Sequence, residues 1–479
     1  MKKSFILYYL VIFAGNIYSC TWTRTIGGSG NDYGYSMCFA QDTGYILTGC
    51  TDSYGAGETD AWLIKTDTFG VMQWSKAFGG ADSDGVYSVQ KTADSGYIAV
   101  GYTKSFGVGE SNIWFIKTDI NGDTVWTRAY GDSGEYAYSY STTNTTDSSY
   151  VAVGTRNSGK DVWLIKVDSN GDTLWTRTFK DYGYGRCVQQ TRDSGYIITG
   201  YSSSLVAGIT VSYLIKTNAN GDTMWTKTFG NGYLYSVIET KDNRYAMIGN
   251  YGYSGYRICF IKTDSAGEII SNFYLDNFYG IGRSIAEIND TNYVIVGLGG
   301  CTTPNQATIL NFSYFYYSNP FGYYECFTGK YSSDAYSFVQ VSGSAYVLVG
   351  YTNSYGRGKN DLWLIRTEKN TWDACMFFTG IEETSSNKNY FPSVSISPNP
   401  FIRSTVISFE LPALTANQCP LTTLRLYDIS GREKMTLFNG NAKAKNVITL
   451  NASSLSSGRY FLRMETGSES IVKELTIFK

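Results

Sequence analysis

The residues in this sequence best suited to chemistry are carboxylates and phenols set in recurring loops. Asp119-Ile120-Asn121-Gly122-Asp123 and Asp168-Ser169-Asn170-Gly171-Asp172 place oxygens at alternate positions, as at the start of a calcium loop. Neither continues to the later bidentate acid that such a loop needs. In another copy Asn218 stands in the place of the first acid, and Asp67-Thr68-Phe69-Gly70 keeps a single acid. Hairpin-turn chemistry accounts for every copy, since Asp or Asn can accept bonds from local N–H groups and Gly can take positive φ. A second set of acids, Asp32, Asp82, Asp84, Asp132 and Glu135, lies in Gly-containing connections. Glycoside hydrolysis needs two carboxylates at a set separation. These acids instead recur through similar loops, a pattern suited to capping loop N–H groups. There is no His, which removes Ser-His-Asp and Cys-His catalysis and every His-containing metal site. No CxxC pair occurs among the nine Cys, so a zinc ribbon is not expected. The reading names no catalytic residue, no metal site and no cofactor.

The phenols are the more distinctive group: Tyr supplies 42 residues, and aromatics make up 16% of the chain. They are dense in the connections of the middle repeats, at Tyr182, Tyr184, Tyr251, Tyr253, Tyr256, Phe278 and Tyr279, and in Tyr314-Phe315-Tyr316-Tyr317 with Tyr323 and Tyr324. Flat rings stack on sugars or grip protein surfaces at low entropy cost. Tyr182, Tyr184, Tyr251, Tyr253, Tyr279 and Tyr316 are therefore the candidate ligand-binding residues. The competing reading is that many of these rings fill strands and the core between sheets, with Tyr314 and Tyr316 facing one way and Phe315 and Tyr317 the other.

The elements that must position them are repeats. Trp22, Trp74, Trp126, Trp175 and Trp225 are spaced by 52, 52, 49 and 50 residues. A steadier marker is Tyr-h-h-x-Gly (h apolar), which begins at Tyr45, Tyr97, Tyr150, Tyr196, Tyr245, Tyr293 and Tyr346 and ends at Gly49, Gly101, Gly154, Gly200, Gly249, Gly297 and Gly350. One unit reads as four short antiparallel strands: a first like Tyr87–Lys91, a second at Tyr97–Gly101, a third like Trp163–Val167, and a fourth carrying the marker Trp. About fifty residues and four strands per unit suit a β-propeller blade. The expected fold is all-β: a seven-bladed β-propeller over 20–376, a linker over 377–395 and a small C-terminal β-sandwich over 396–479. The Trp22 strand is expected to complete the last blade beside Trp363-Leu364-Ile365-Arg366, leaving no open sheet edge. Thr371–Phe378 competes for that place. The units resemble the Trp-Leu-Ile-Lys-Thr-Asp repeat of exported bacterial propellers and are loosely similar to quinoprotein-like propellers. The chain lacks the adjacent Cys pair of quinone-dependent dehydrogenases, and that resemblance implies fold alone.

The first 19 residues read as a signal peptide, with Lys2 and Lys3 before the apolar run Phe5–Ala14 and a small residue at Ser19. Cys20 leaves lipidation as an alternative. The run is short for a bilayer span, and no later segment is a candidate. Net charge is −2 and charged residues are 17% of the chain, so nothing points to nucleic acid. In an exported chain Cys301 and Cys326 are a possible disulfide pair, though most Cys lie in apolar strand-like stretches and suit buried small hydrophobes.

Composition changes near residue 377: all ten Trp lie before it, and five of the seven Pro fall between 392 and 420. Then follow Pro398-Asn399-Pro400, a turn in Tyr427-Asp428-Ile429-Ser430-Gly431-Arg432, and a strand opening Ser457-Gly458-Arg459-Tyr460. The last strand contains Lys473, and the chain ends at Lys479. In this order, over about 396–479, they resemble the type A C-terminal sorting domain of the type IX secretion system. The resemblance implies handling by that machinery and passage through the outer membrane of a Gram-negative bacterium. It also implies removal of the domain, with release or attachment at the cell surface. Together the readings describe a secreted or surface propeller, a non-catalytic binding module for a glycan or protein. The alternative is an extracellular polysaccharide hydrolase or lyase using the loop acids.

Overall fold

The structure, a computed structural model, describes residues 17–206, 209–251, 257–289, 292–300, 306–313, 321–327, 332–342, 345–370, 393–397, 401, 403–410, 421–428, 432–441, 445–466 and 469–477. The chain divides into two compact units, Met1–Gly380 and Ile381–Lys479. Both are all-β, and most of their sheets are four-stranded and antiparallel.

In the first unit each repeat folds as a meander. Asp32–Phe39, Tyr45–Thr51, Asp60–Thr66 and Met72–Phe78 form one sheet in sequence order. Asp84–Lys91 to Thr124–Tyr130 form the next, and Tyr138–Asn144 to Thr173–Phe179 the third. The following strands form one ten-stranded sheet, because Thr223–Glu239 and Ile269–Asn289 are each the outer strand of one group and the inner strand of the next. Within Thr223–Glu239 the longer connections of the early repeats, such as Gly79-Gly80-Ala81-Asp82-Ser83, are replaced by the short link Gly230-Asn231-Gly232, and the backbone runs straight on. The final sheet takes Ser333–Ser342, Ala345–Thr352 and Asp361–Asn370, and its fourth strand is Ile17–Ile26 from the start of the chain. Trp22 sits opposite Arg366. Ile17–Ser19, at the end of the expected signal peptide, extend this strand.

Second and third strands are buried on both sides; every residue of Tyr45–Thr51 and Asp60–Thr66 is buried. The core lies between sheets. Ile46, Ala61 and Leu63 of the first sheet pack with Val89, Tyr97 and Trp114 of the second. Tyr45, Leu47 and Trp62 pack with Val347, Val349 and Leu364 of the last. The inner strands follow one another in contact: Asp32–Phe39 touches Asp84–Lys91, and so on to Ser333–Ser342, which touches Asp32–Phe39 again.

The repeat markers have physical causes. A Cβ on Gly49, Gly101, Gly154, Gly200, Gly249, Gly297 or Gly350 would collide with a carbonyl oxygen of the adjoining inner strand. The marker Trp packs on a turn of the next sheet: Gly122, Gly171 and Gly221, all at positive φ, lie against Trp74, Trp126 and Trp175. The repeated Lys of Trp-Leu-Ile-Lys is buried and paired with an acid of the preceding turn. The pairs are Lys65 with Asp42, Lys117 with Asp94 (2.8 Å), Lys166 with Asp147 (2.6 Å), Lys216 with Asp193 (2.8 Å) and Lys262 with Asp242 (3.2 Å). Partial burial opposes the charge on Asp94, but the bonds from Lys117 and Thr92 outweigh it and hold the carboxyl below its usual range.

In the second unit Ser393–Ser397, Ser404–Glu410 and Lys445–Asn451 form one sheet. Glu433–Asn441, Leu421–Asp428, Gly458–Thr466 and Glu469–Ile477 form another. Ile407 and Phe409 of the first sheet share one core with Leu424, Leu426, Leu462 and Leu475 of the second.

Candidate functional site

Each of the seven inner strands contains a β-bulge at the same point. The ladder register skips between Gly34 and Ser36, Val86 and Ser88, Ser139 and Ser141, Gly185 and Cys187, Leu234 and Ser236, Gly282 and Ser284, and Ala335 and Ser337. The residue left unpaired is Tyr35, Tyr87, Tyr140, Arg186, Tyr235, Arg283 or Tyr336. A bulge re-aims its side chain, and here the seven side chains meet. Ring centroids lie 5.1 Å apart for Tyr35–Tyr87 and 5.5 Å for Tyr87–Tyr140. Arg186 lies over Tyr140 at 4.2 Å and Tyr235 at 5.4 Å. Arg283 lies over Tyr235 at 5.1 Å and Tyr336 at 4.6 Å, and Tyr336–Tyr35 closes the cycle at 5.0 Å.

In the first four inner strands the residue after the bulge ties the strand to the next one. Ser36, Ser88 and Ser141 Oγ accept from the backbone N–H of Val89, Thr142 and Val188 on the next inner strand, at 3.3, 3.2 and 3.2 Å. The fourth inner strand has Cys187, whose thiol donates to Val237 O at 3.7 Å. Cys38, Cys50, Cys187 and Cys259 are free thiols, and burial pushes Cys50 up to about 12.

A second tier of phenols lies above the ring, toward the ends of the inner strands that receive the inter-sheet connections. Tyr33 meets Tyr351 at 5.0 Å, Tyr102 meets Tyr138 at 5.0 Å, and Tyr201 meets Tyr184 at 5.2 Å and Tyr233 at 4.7 Å. All these side chains are partly exposed.

The two arginines differ. Arg283 Nη2 and Nε both donate to Asp334 Oδ2, at 3.0 and 3.3 Å, and the Asp334 side chain is 2% exposed. Burial works against both charges. The Asp334 carboxylate overcomes it for Arg283 and holds that guanidinium protonated. Arg186 has no hydrogen bond or ion pair among the described residues and is held by Tyr140, Tyr201 and Tyr235. Burial drives the phenols of Tyr35 and Tyr87 well above their ordinary value and Tyr235 to about 12. The phenols stay neutral near pH 7, fit to donate hydrogen bonds and stack but poorly suited to act as bases.

The carboxylates of Asp32, Asp84, Asp132 and Glu135 are occupied, and that of Asp82 is exposed. Asp32 accepts from Gly28 N–H (2.8 Å) and Ser53 Oγ (2.7 Å), and also from Thr51. Asp84 accepts from Gly80 N–H (2.8 Å) and Ser105 Oγ (2.6 Å). Arg156 pairs with Asp132 and with Glu135 (3.4 Å). The backbone of Asp82 bonds Ser105. Asp119 Oδ1 accepts from the N–H groups of Asn121 and Asp123, and Asp168 and Asn218 repeat the pattern. Among the described residues no cluster of acids, Cys or His could hold a metal ion.

Of the tyrosines singled out from sequence, Tyr184 stands in the upper tier. Tyr182 packs edge-on against buried Tyr213 at 5.2 Å, in the core between two sheets. Tyr251 is 37% exposed, at a strand end beside Tyr274. Tyr279 is described only in its backbone, paired with Gly300 and Arg257. Tyr253 and Tyr316 lie outside the described residues, as does Cys301 of the considered disulfide. The ring itself was missed. Its signal was present: each bulge residue lies ten positions before the Tyr of Tyr-h-h-x-Gly, from Tyr35 and Tyr45 to Tyr336 and Tyr346.

In the C-terminal unit, Asp428 Oδ1 accepts from Arg432 N–H at 3.1 Å and closes the turn after Leu421–Asp428, in which Tyr427 is half-buried. Gly458 opens the strand that carries buried Tyr460, whose hydroxyl donates to Ser456 O at 3.0 Å. Lys473 is exposed on the last strand. Pro398, Asn399, Pro400 and Gly431 lie outside the described residues. Residues 395–478 match the secretion system C-terminal sorting domain family. This unit is a sorting domain, and it points to export by type IX secretion toward the cell surface or outside. Among the described residues no helix is long and apolar enough to cross a membrane.

No curated protein sequence matches the chain. Among solved structures, a Dyadobacter fermentans protein of unknown function aligns at 10% identity over 74% of this chain and 99% of its own, with a TM-score of 0.42. A polysaccharide lyase of family PL25, an ulvan lyase, aligns at 9% identity over 71% of this chain and 95% of its own, with a TM-score of 0.41. A GH43 β-1,3-galactosidase aligns at 11% identity over 74% and 96%, with a TM-score of 0.30. None of these likenesses assigns an activity to this chain.

Proposed function

We propose that the first unit is a seven-bladed β-propeller, exported with its sorting domain, that binds a glycan without turning it over. The observation that carries this reading is the cycle of five tyrosines and two arginines. Seven inner strands, each touching the next, aim one bulge residue apiece at a common centre. Above it, partly exposed phenols offer flat apolar faces and hydroxyl donors, the two features a sugar ring requires. Two further features favour binding over chemistry. Among the described residues the carboxylate ion-paired within the ring is Asp334, already held by Arg283; of the loop acids, Asp32 and Asp84 serve loop N–H and hydroxyl groups, and Asp132 and Glu135 pair with Arg156. Burial also keeps the ring phenols protonated.

The test retains the full exported chain on immobilised polygalacturonate, dextran sulfate and neutral dextran, beside the double variant Tyr87→Ala/Tyr140→Ala. Retention that the variant loses, with no new reducing ends and no absorbance from unsaturated uronate, is the expected result. Release of shortened or unsaturated products would make the protein a hydrolase or lyase. Retention unchanged in the variant would remove the ring from the site.

A further inference from the structure

Resting on the reading that the ring is the binding site, we propose that it selects anionic sugars, with Arg186 as the group that takes a carboxylate or sulfate ester. The seven ring positions are equivalent in the fold, yet five are phenols and two are guanidinium groups. The two guanidinium groups are in opposite states. Arg283 has both Nε and Nη2 on one buried carboxylate, so its charge is spent within the protein. Arg186 is surrounded by the faces of Tyr140, Tyr201 and Tyr235 at 4.2, 5.5 and 5.4 Å. Those rings fix the plane of the guanidinium and partly desolvate it, but supply no oxygen acceptor for its N–H fork. Its side chain is half-buried, and no described residue gives it a hydrogen bond or an opposing charge. A fork held in place by ring faces, partly desolvated and bonded to no described protein acceptor is complementary to the paired oxygens of a carboxylate or sulfate.

The surroundings give selectivity. The neighbouring phenols are neutral, and their hydroxyls can donate to the same anion or to adjacent sugar hydroxyls. Asp334 is neutralised by Arg283, while Asp32 and Asp84 are tied to loop N–H groups. The chain as a whole has net charge −2, so unspecific attraction of polyanions is not built in. A polyanion that binds does so through a local feature, and Arg186 is the one that the ring leaves uncompensated.

The experiment is affinity electrophoresis of the full chain through gels containing polygalacturonate, dextran sulfate or neutral dextran, with Arg186→Met, Arg186→Lys and Tyr87→Ala/Tyr140→Ala alongside. Arg186→Met keeps a long flexible apolar stem, and thermal melting checks its fold. Arg186→Lys keeps the charge but not the fork. The expected result is retardation of the wild type by at least one anionic polymer. Dissociation constants rise at least tenfold in Arg186→Met, with Arg186→Lys between the two, and raised salt weakens the binding. Polygalacturonate without dextran sulfate would identify a carboxylate; the reverse would identify a sulfate. Equal retardation by dextran, or wild-type retardation of a folded Arg186→Met, overturns the proposal. If the tyrosine variant then still loses dextran binding, the ring remains the site and only its anion selectivity falls. Retardation by none of the three polymers overturns both.

Discussion

Asp334→Asn makes the sharpest test of the site's internal electrostatics. In the wild type, one carboxylate oxygen accepts two N–H bonds from Arg283, at 3.0 and 3.3 Å, while the side chains are 2% and 16% exposed. Asn keeps a single acceptor oxygen in nearly the same volume but deletes the charge. Arg283 is then a buried, uncompensated cation. Removing one partner of a buried pair costs about 3–5 kcal/mol. The Tyr235 and Tyr336 faces and the amide oxygen recover part of that, so the expected loss is about 3 kcal/mol. Urea unfolding measures it, since guanidinium chloride would screen the pair. The double variant Asp334→Leu/Arg283→Met removes both charges and is expected to be far less damaged, because an apolar pair of similar volume leaves nothing unsatisfied. An Asp334→Asn protein within about 1 kcal/mol of wild type, or a double variant no better than the single, would refute the picture of a closed, self-neutralised pair.

Four further outcomes follow from the same structure. Asp42, Asp94, Asp147 and Asp193 are each held below the usual carboxylate range chiefly by a buried Lys, and Asp242 by the bond from Thr240 together with Lys262. Their contribution is therefore complete above the unfolded value of about 4 and is lost as pH falls through the lower folded values; melting followed from pH 6 to pH 2 should show this loss, and replacing these acids with Asn should flatten the curve. Gly154→Ala drives a Cβ into Tyr138 O and should lower stability by about 3 kcal/mol or more in a urea titration. Ser88→Ala leaves the buried Thr142 N–H without its acceptor and should cost about 1–3 kcal/mol, whereas alanine at exposed Asp82 should cost almost nothing. Deleting 395–478 should leave the chain inside the cell envelope in fractionation, while the full chain reaches the surface or the medium.

Much of the local structure was legible because local chemistry specifies it. The turns at Asp119 and Asp168 close on their own side chain, so reading them as hairpins rather than ion sites needed only a few residues of context. The same holds for the sorting domain, whose motifs are short and ordered. The loop acids were open to a structural reading only in part: Asp32 and Asp84 cap the N–H groups of Gly28 and Gly80, while Asp132 and Glu135 pair with Arg156 instead. The merging of sheets through Thr223–Glu239 was not legible: whether Gly230-Asn231-Gly232 turns or runs on depends on the strands around it.

The candidate site shows the division most clearly. Tyr182 and Tyr184 are two residues apart, the first in a connection and the second opening the strand Tyr184–Gln190, and one seals the core beside Tyr213 while the other stands over the ring. Side-chain alternation cannot assign them, because Tyr182 lies before the strand Tyr184–Gln190 and Asp181 and Gly183 on either side of it are at positive φ, which breaks the extended run. By itself the sequence determined the repeat, its strands and turns, the absence of His chemistry and the export tag, all set by spacing within tens of residues. Only the tertiary structure decided that residues from 35 to 336 share one ring, that Arg283 is spent on Asp334, and that Arg186 is left open. Those facts depend on contacts between inner strands of different repeats, and no single repeat contains them.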